Sequence, residues 1–205
     1  MKILKLDESC ISNKVVNTGM GFRSLLLVLL IAGAHAAPGQ YPRGVTMHRV
    51  QAGEIDSSGW ATARSTDGGF TVRLPIRFND FTFEDPNPNS LTAKTFTVGG
   101  TSAEGLKFSA VRVTYRKADT ASARFAKIKR GEGFSTKPQS VKSLTVSGRK
   151  AVDIEVGDNS NGLHQRVVMV EQDLITLMIE APAAHRALAA RFKPTFFESL
   201  VIEQR

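Results

Sequence analysis

The C-terminal half of the sequence alternates apolar with charged or polar residues, and this period of two constrains the fold more than any other feature. Between Val152 and Val156 the apolar side chains occupy every second position, and Ile175, Leu177 and Ile179 repeat this spacing. Successive side chains of a strand point to opposite faces of a sheet, so both segments are predicted to be strands. The segment from Val167 to Val170 is apolar throughout, which predicts a sheet covered on both faces at that point.

Turn residues divide the rest of the chain into further strands. Asp67-Gly68-Gly69 lies between two short apolar runs and predicts a β-hairpin. The segment Gly100–Gly105 has one residue too many for a G-x-S-x-G nucleophile elbow, so we predict a hairpin loop there. The strands expected from these patterns span residues 60–65, 70–75, 92–98, 106–115, 141–146, 151–156, 163–171 and 174–179.

Two segments have the spacing of amphipathic helices. In the first, an N-cap signal at Asp119-Thr120 precedes an apolar stripe of Ala121, Phe125 and Ile128. Gly131 and Gly133 end the helix. The second is expected to begin at Pro182, a favoured residue of a first helical turn, and to break at Pro194 before a last turn over residues 195–198. Strands early and late in the chain, with one helix between them and another near the end, predict an α+β fold. We expect a single antiparallel β-sheet flanked by helices.

An unbroken apolar run from Leu25 to Ala32 lies between Arg23 and the small residues of Ala34-His35-Ala36. This arrangement is typical of a secretory signal peptide, and even the longer stretch Leu25–Ala37, about 13 residues, is too short to span a membrane. We predict a signal peptide over residues 1–36. We also expect translation to begin at Met20, so that residues 1–19 would precede the true start and not be part of the protein. No cysteine follows the run to accept a lipid, so the expected location is periplasmic or secreted.

Cleavage after Ala36 would leave a mature chain without thiol chemistry. It removes Cys10, the single cysteine among the 205 residues, and with it any disulfide or thiol nucleophile. It also removes four basic and two acidic residues, which lowers the net charge from +8 to +6. Residues 37–57 are rich in Pro, Gly and Ser and predict a linker or irregular lead-in, with a short strand at Val45–Val50 left open. We expect one domain over residues 58–205.

Two stretches of the sequence resemble PsbP-like domains. The first is Trp60 followed by Asp67–Pro75, and the second is the strand 174–179, the helix at Pro182 and the segment Phe196–Ile202, in that order. The resemblance covers about residues 58–203. It implies an α/β/α sandwich, an antiparallel sheet between helices.

The resemblance suggests a function only by analogy with the studied members of the family. Relatives of the family include an extrinsic subunit of the photosynthetic oxygen-evolving complex, a nuclear import factor that binds a small GTPase, and many exported bacterial proteins without an established role. The resemblance therefore implies docking onto another macromolecule without chemistry of its own, and this sequence is most similar to the exported bacterial branch. Its matching residues are packing and turn residues, so no contact residue of a studied branch is carried over.

Glu155 and His164 form the candidate catalytic pair. The sequence contains no G-x-S-x-G, H-E-x-x-H, P-loop or G-x-G-x-x-G motif. If residues 157–162 form a hairpin loop, Glu155 faces His164 and Asp153 faces Arg166 on neighbouring strands. The first pair is then either the base and orienting acid of a small hydrolase or a cross-strand charge contact. Without a nucleophile or oxyanion donor, we expect the charge contact and no enzyme activity.

Residues 158–162 resemble the start of a calcium loop. Asp158-Asn159-Ser160-Asn161-Gly162 places its glycine one position early, and the twelfth position holds Met169 instead of glutamate. Asn and Asp also favour tight turns, so we expect a turn at this point. We predict neither a metal site nor a cofactor.

Basic residues cluster between Arg116 and Lys150, where ten lysines and arginines are opposed by Asp119 and Glu132 alone. The local net charge of +8 exceeds the +6 of the expected mature chain. Such a surface attracts anionic partners and speeds their encounter, and the alternative is a solvated surface without a partner. The candidate binding residues on this basic face are Arg124, Lys127, Lys129, Arg130, Lys137, Lys142, Arg149 and Lys150.

These observations predict a non-catalytic exported envelope protein that docks onto a larger macromolecule, expected to be a protein of the cell envelope. The alternative is a peripheral binder of anionic membrane or glycopolymer surfaces through the basic face. Nucleic acid is not expected as a partner, because export separates the protein from it and few aromatic residues lie among the basic ones.

Overall fold

The computed structural model describes residues 41 to 203, so the predicted signal peptide at residues 1–36 lies outside the described residues. Within them, every helix is too short or too polar to cross a membrane. Antiparallel strands make up most of the structure, and two α-helices accompany them.

The strands form two separate sheets. They are β1 Val45–Ala52, β2 Ala61–Arg64, β3 Phe70–Leu74, β4 Phe78–Glu84, β5 Thr92–Thr101, β6 Lys107–Tyr115, β7 Ser140–Val146, β8 Arg149–Gly157, β9 Asn161–Val170, β10 Asp173–Pro182 and β11 Val201–Ile202. The helices are α1 Thr120–Lys129 and α2 Arg186–Glu198, and a 3-10 turn Ala183–His185 precedes α2. The main sheet has the strand order β1-β4-β5-β6-β10-β9-β8-β7, and the second sheet has the order β11-β3-β2.

The main sheet is covered on both faces around β9, as the apolar segment Val167–Val170 predicted. Val168 packs in one cluster with Phe196 of α2 and with the second sheet. Val167 packs on the opposite face in a second cluster with Phe125 of α1. We refer to these as the α2 face and the α1 face of the main sheet.

The expectation of a single sheet flanked by helices is too simple. β2 and β3 form the hairpin predicted around Asp67-Gly68-Gly69, but β3 pairs on its other side with β11 through Val201 and Thr71. Phe70, Val72 and Leu74 of β3 are fully buried in the cluster on the α2 face. The alternation of apolar residues fixes which face of a strand is buried but does not fix the strand beside it, so the second sheet was missed.

The main sheet also includes two strands at its β1 edge that the sequence predicted in part or not at all. β1 pairs with β4, so residues 45–52 of the predicted lead-in belong to the main sheet and the compact unit begins before residue 58. β4 buries Asn79 and Asp80, and such polar residues are not typical of a central strand. Asp80 Oδ2 accepts hydrogen bonds from Arg49 Nη2 and Thr66 Oγ1, both at 2.6 Å. These bonds compensate for burying the carboxylate.

Helix α1 agrees with its prediction. It begins at Thr120, Phe125 is buried against the sheet, and Gly131 follows its end with a φ of 75°. Glycine adopts this left-handed conformation without strain, which explains the stop. Asp119 occupies the cap position, although its side chain accepts no capping hydrogen bond.

Helix α2 differs from its prediction at both ends. Pro182 ends β10, and the helix begins four residues later at Arg186. Pro194 lies inside the helix instead of ending it. Phe196 and Phe197 follow the proline and are buried in the core. Burial of these two rings outweighs the helical hydrogen bond that proline cannot make.

Candidate binding surface

Helix α1 presents four of the candidate basic residues to solvent. Phe125 and Ile128 pack towards the main sheet, which leaves the charged side chains on the remaining helix surface. The guanidinium of Arg124 lies 5.5 Å from the centre of the Tyr115 ring, within cation–π distance. The exposed cations on and just after α1 are Arg124, Lys127, Lys129 and Arg130.

Within the described residues, Arg130 is the one residue of these four whose positive charge is paired with a carboxylate, that of Glu132. Its Nε donates to Glu132 Oε1 at 2.6 Å and its Nη2 donates to Glu132 Oε2 at 3.2 Å. This paired hydrogen bond raises the pKa of Arg130 and lowers the pKa of Glu132. The free positive charge at the end of α1 therefore comes chiefly from Lys127 and Lys129, which also interact favourably with the helix dipole.

The other four candidate residues lie around β7, on both sides of the main sheet. Lys142 is opposite Asp153 of β8 in the register, which places it on the α2 face, and Lys150 lies on the α1 face. Arg149 begins β8 directly after the hairpin turn, and Lys137 lies in the connection from α1 to β7. The eight cations are therefore divided between α1 and the β7 edge of the main sheet, where Lys142 and Lys150 lie on opposite faces.

Basic side chains elsewhere in the described chain have carboxylate partners much more often. Arg112 and Arg166 are buried in the main sheet and bind Asp173 and Asp153 at 2.8 and 2.7 Å. Between residues 116 and 150, the pair after α1 is the one ion pair that the described residues form. The exposed lysines of this stretch that form no ion pair within residues 41–203 are Lys117, Lys127, Lys129, Lys137, Lys142 and Lys150. Positive charge without a carboxylate partner is thus present both along α1 and around β7.

The predicted pairing of the candidate catalytic residues is confirmed. Residues 157–162 close the hairpin between β8 and β9, Glu155 is opposite His164, and Asp153 is opposite Arg166. The Nδ1 atom of His164 lies 3.5 Å from Oε1 of Glu155 and is buried without a hydrogen-bond partner.

Lys193, which the sequence did not indicate as a site residue, binds the carboxylate of this pair. Lys193 of α2 donates from Nζ to Glu155 Oε1 at 2.6 Å, and this bond lowers the pKa of Glu155. Burial, and then the charge of Lys193, lowers the pKa of His164. The carboxylate oxygen nearest the imidazole therefore accepts a hydrogen bond from the ammonium group of Lys193. No local pattern could signal this contact, since it joins a helix to a strand 38 residues away.

The segment from Asp158 to Asn161 forms the tight turn that was predicted. Asp158 Oδ1 accepts hydrogen bonds from the hydroxyl and backbone N–H of Ser160 and from the N–H of Asn161, which lowers the pKa of Asp158 to about 2. The carboxylate thus closes the turn. The part of the chain from 41 to 203 contains no group of three or more His, Cys, Asp or Glu residues that could hold a metal ion.

Comparison with known proteins finds similarity in structure alone. No protein-family model matches the chain, and no curated protein matches it. The solution structure of cyanobacterial PsbP (CyanoP) from Synechocystis sp. PCC 6803 is 13% identical, with a TM-score of 0.45 over 74% of this chain and 96% of that one. The crystal structure of LpqN, involved in cell envelope biogenesis of Mycobacterium tuberculosis, is 13% identical, with a TM-score of 0.34 over 81% and 88%. The first of these structures carries the name of the family that the sequence resembles.

Proposed function

We propose that this chain is an exported, non-catalytic protein of the cell envelope that docks onto a larger protein partner. The observation that carries the proposal is the accumulation of cations, exposed except for the half-buried Arg149 and largely without carboxylate partners, around β7 and on α1. We call this group the basic surface; it consists of Arg124, Lys127, Lys129, Arg130, Lys137, Lys142, Arg149 and Lys150.

Charge of one sign at this density has a physical cost that a partner can offset. Neighbouring like charges repel each other, and salt screens this repulsion only beyond about 8–10 Å. A partner with carboxylates or other anions at matching positions relieves the repulsion and is steered towards the surface. The non-catalytic part of the proposal is supported by the bond between Glu155 and Lys193, which occupies the carboxylate of the candidate dyad.

Charge reversal on the basic surface tests the proposal. The test variant carries Lys127→Glu, Lys129→Glu and Lys137→Glu. A matched control carries Arg43→Glu, Arg77→Glu and Arg191→Glu, three exposed positions outside the basic surface that change the net charge equally. Binding is measured by co-sedimentation with the envelope fraction of the cells that produce the protein. We expect the test variant to bind at least about tenfold more weakly and the control to bind like the unaltered protein.

The chemistry of the partner is tested with the same assay. Prior digestion of the envelope fraction with protease should remove the binding, and vesicles of phosphatidylglycerol and phosphatidylcholine should not restore it. Undiminished binding to digested envelope or to these vesicles would instead support the glycopolymer or membrane surface. Equal loss of binding in the test and control variants would show that net charge alone is responsible and would contradict a defined docking surface.

A further inference from the structure

β7 leaves an open edge on the main sheet. No strand among the described residues pairs with its outer side. It is seven residues long, contains no proline and pairs with β8 without a register shift. The opposite edge strand, β1, has two register shifts and a φ of 47° at Gln51, and such irregularities make an edge a poor template for another strand. The outer strands of the second sheet have only four and two residues.

The turn after β7 shows which of its backbone groups point outward. Ser147 and Gly148 have φ values of 48° and 76° and form a two-residue turn between Val146 and Arg149. In such hairpins the two residues that flank the turn bond each other, and bonded and unbonded pairs alternate from there along the strands. The residues whose N–H and C=O groups point away from β8 are therefore Val141, Ser143 and Thr145.

The charge around this edge favours one kind of strand. Lys137 precedes β7, Lys142 lies within it and Lys150 lies beside it on β8, while β7 and its turn contain no acidic residue. Pairing β7 with β7 of a second copy would bring these lysines together, which disfavours self-association. An extended segment with carboxylates at alternate positions would instead place one beside Lys142, where directly opposed charges attract.

We infer that the outer edge of β7 binds an extended acidic segment of the protein partner by strand addition. This inference rests on the proposed docking function and names the part of the partner that is recognised. The N–H and C=O groups of Val141, Ser143 and Thr145 provide the hydrogen bonds, and the surrounding lysines select for negative charge.

A synthetic peptide provides the test. The probe is a nine-residue, end-blocked peptide in which glutamate alternates with threonine, and its binding is followed by amide hydrogen exchange in NMR spectra of the protein. We expect the amides of Val141, Ser143 and Thr145 to exchange at least about tenfold more slowly at saturating peptide, and those of Lys142 and Leu144 to remain unchanged. A peptide with glutamine in place of glutamate should bind at least about tenfold more weakly.

Two further measurements separate strand addition from attraction of charge alone. Two variants of the probe carry a methyl group on every second backbone nitrogen. The variant whose methylated nitrogens face β7 should not bind, and the variant whose methylated nitrogens point away from β7 should bind like the probe. In the protein, Ser143→Pro should abolish binding, since it removes an outward N–H without breaking a bond to β8, whereas Ser143→Ala should retain it. Equal binding by both methylated peptides, or by Ser143→Pro, would overturn the inference, as would dimerisation through β7.

These results are distinguishable from a failure of the proposed function. Envelope binding that is lost on reversal of Lys127, Lys129 and Lys137, with no effect of the probe on β7, would leave docking intact and overturn strand addition. A probe that protects β7 in a protein that does not bind the envelope fraction would support the edge as an acceptor of acidic strands and contradict the docking function.

Discussion

Replacing Arg166 by methionine tests how the main sheet holds a charge in its interior. Arg166 lies on β9 and is 5% exposed. Its Nε and Nη2 donate to the carboxylate of Asp153 at 2.7 and 3.0 Å, and its Nη1 donates to Glu198 Oε1 at 2.7 Å. Methionine fills much of the same volume without charge, so the variant leaves Asp153 in the sheet without its partner.

The magnitude follows from the burial of Asp153. Removing one partner of a buried ion pair costs about 3–5 kcal/mol, because an unpaired charge remains. The Asp153 side chain is 16% exposed and keeps some contact with water, so we expect a loss near the lower limit, about 3 kcal/mol. For a chain of this size that corresponds to about 6–12 °C in Tm. The matched control is Arg64→Met, whose pair with Glu203 has the same 2.7 Å distance but whose own side chain is 68% exposed. This change should cost less than about 1 kcal/mol.

Urea unfolding, followed by the fluorescence of Trp60, measures both losses from the midpoint at a constant m-value. The double variant Arg166→Met with Asp153→Val removes both buried charges and should recover about 2 kcal/mol relative to the single variant. The reasoning is refuted if Arg166→Met costs no more than Arg64→Met. It is also refuted if the double variant is no more stable than the single one, because the loss would then not come from the unpaired carboxylate.

The remaining predictions concern packing, pH and the helix proline. Gly99→Ala would place a Cβ atom 2.4 Å from a backbone oxygen of β6 and should cost more than about 1 kcal/mol, whereas Gly157→Ala meets nothing closer than 3.5 Å and should be near neutral in the same urea assay. Burial lowers the pKa of His164 below 6.5, so the unfolded chain binds the proton more readily. Stability should therefore fall as the pH drops from 6.5 towards the lowered pKa, and His164→Gln should lose this dependence in melts at a series of pH values. Pro194→Ala restores a helical N–H at an exposed position and should raise stability by about 1 kcal/mol. A lower Tm for this variant would contradict the expectation and show that the proline stabilises the native conformation of α2.

The meander of β8, β9 and β10 could be predicted because its signals are local. Alternating residues on β8 set which of its side chains face the α1 side, and the turn at Asp158 fixes the offset between β8 and β9. A turn of defined length sets the register of a hairpin, so Asp153 could be placed opposite Arg166 from the sequence alone. Strand β4 could not be found in this way, since Asp80 is stabilised in the interior by Arg49, a residue 31 positions away.

The basic surface likewise has one part that could be predicted from local sequence patterns and one part that could not. The excess of lysine and arginine between residues 116 and 150 is visible in the sequence, and its helical part on α1 followed from the spacing of Phe125 and Ile128. The location of the remaining cations around an open edge depends on the strand order, which places β7 last of eight. Strand order is set by contacts between distant segments, so no local pattern could have shown that Lys142 and Lys150 flank an unpaired edge.

The basic side chains of this molecule meet two different physical requirements. Arg112 and Arg166 lie inside the main sheet, where a guanidinium without a carboxylate would be costly, and each has one. The cations around β7 are exposed to water, so folding does not require a partner for them. Lysine on an open edge is a common means of preventing unwanted pairing, and Lys142 alone could serve that purpose. Protection of the edge does not account for Lys127 and Lys129, which are on α1 and not on β7. The docking that we propose would account for both groups if the partner contacts the helix and the edge together, because the charge extends beyond the strand that lysine would protect.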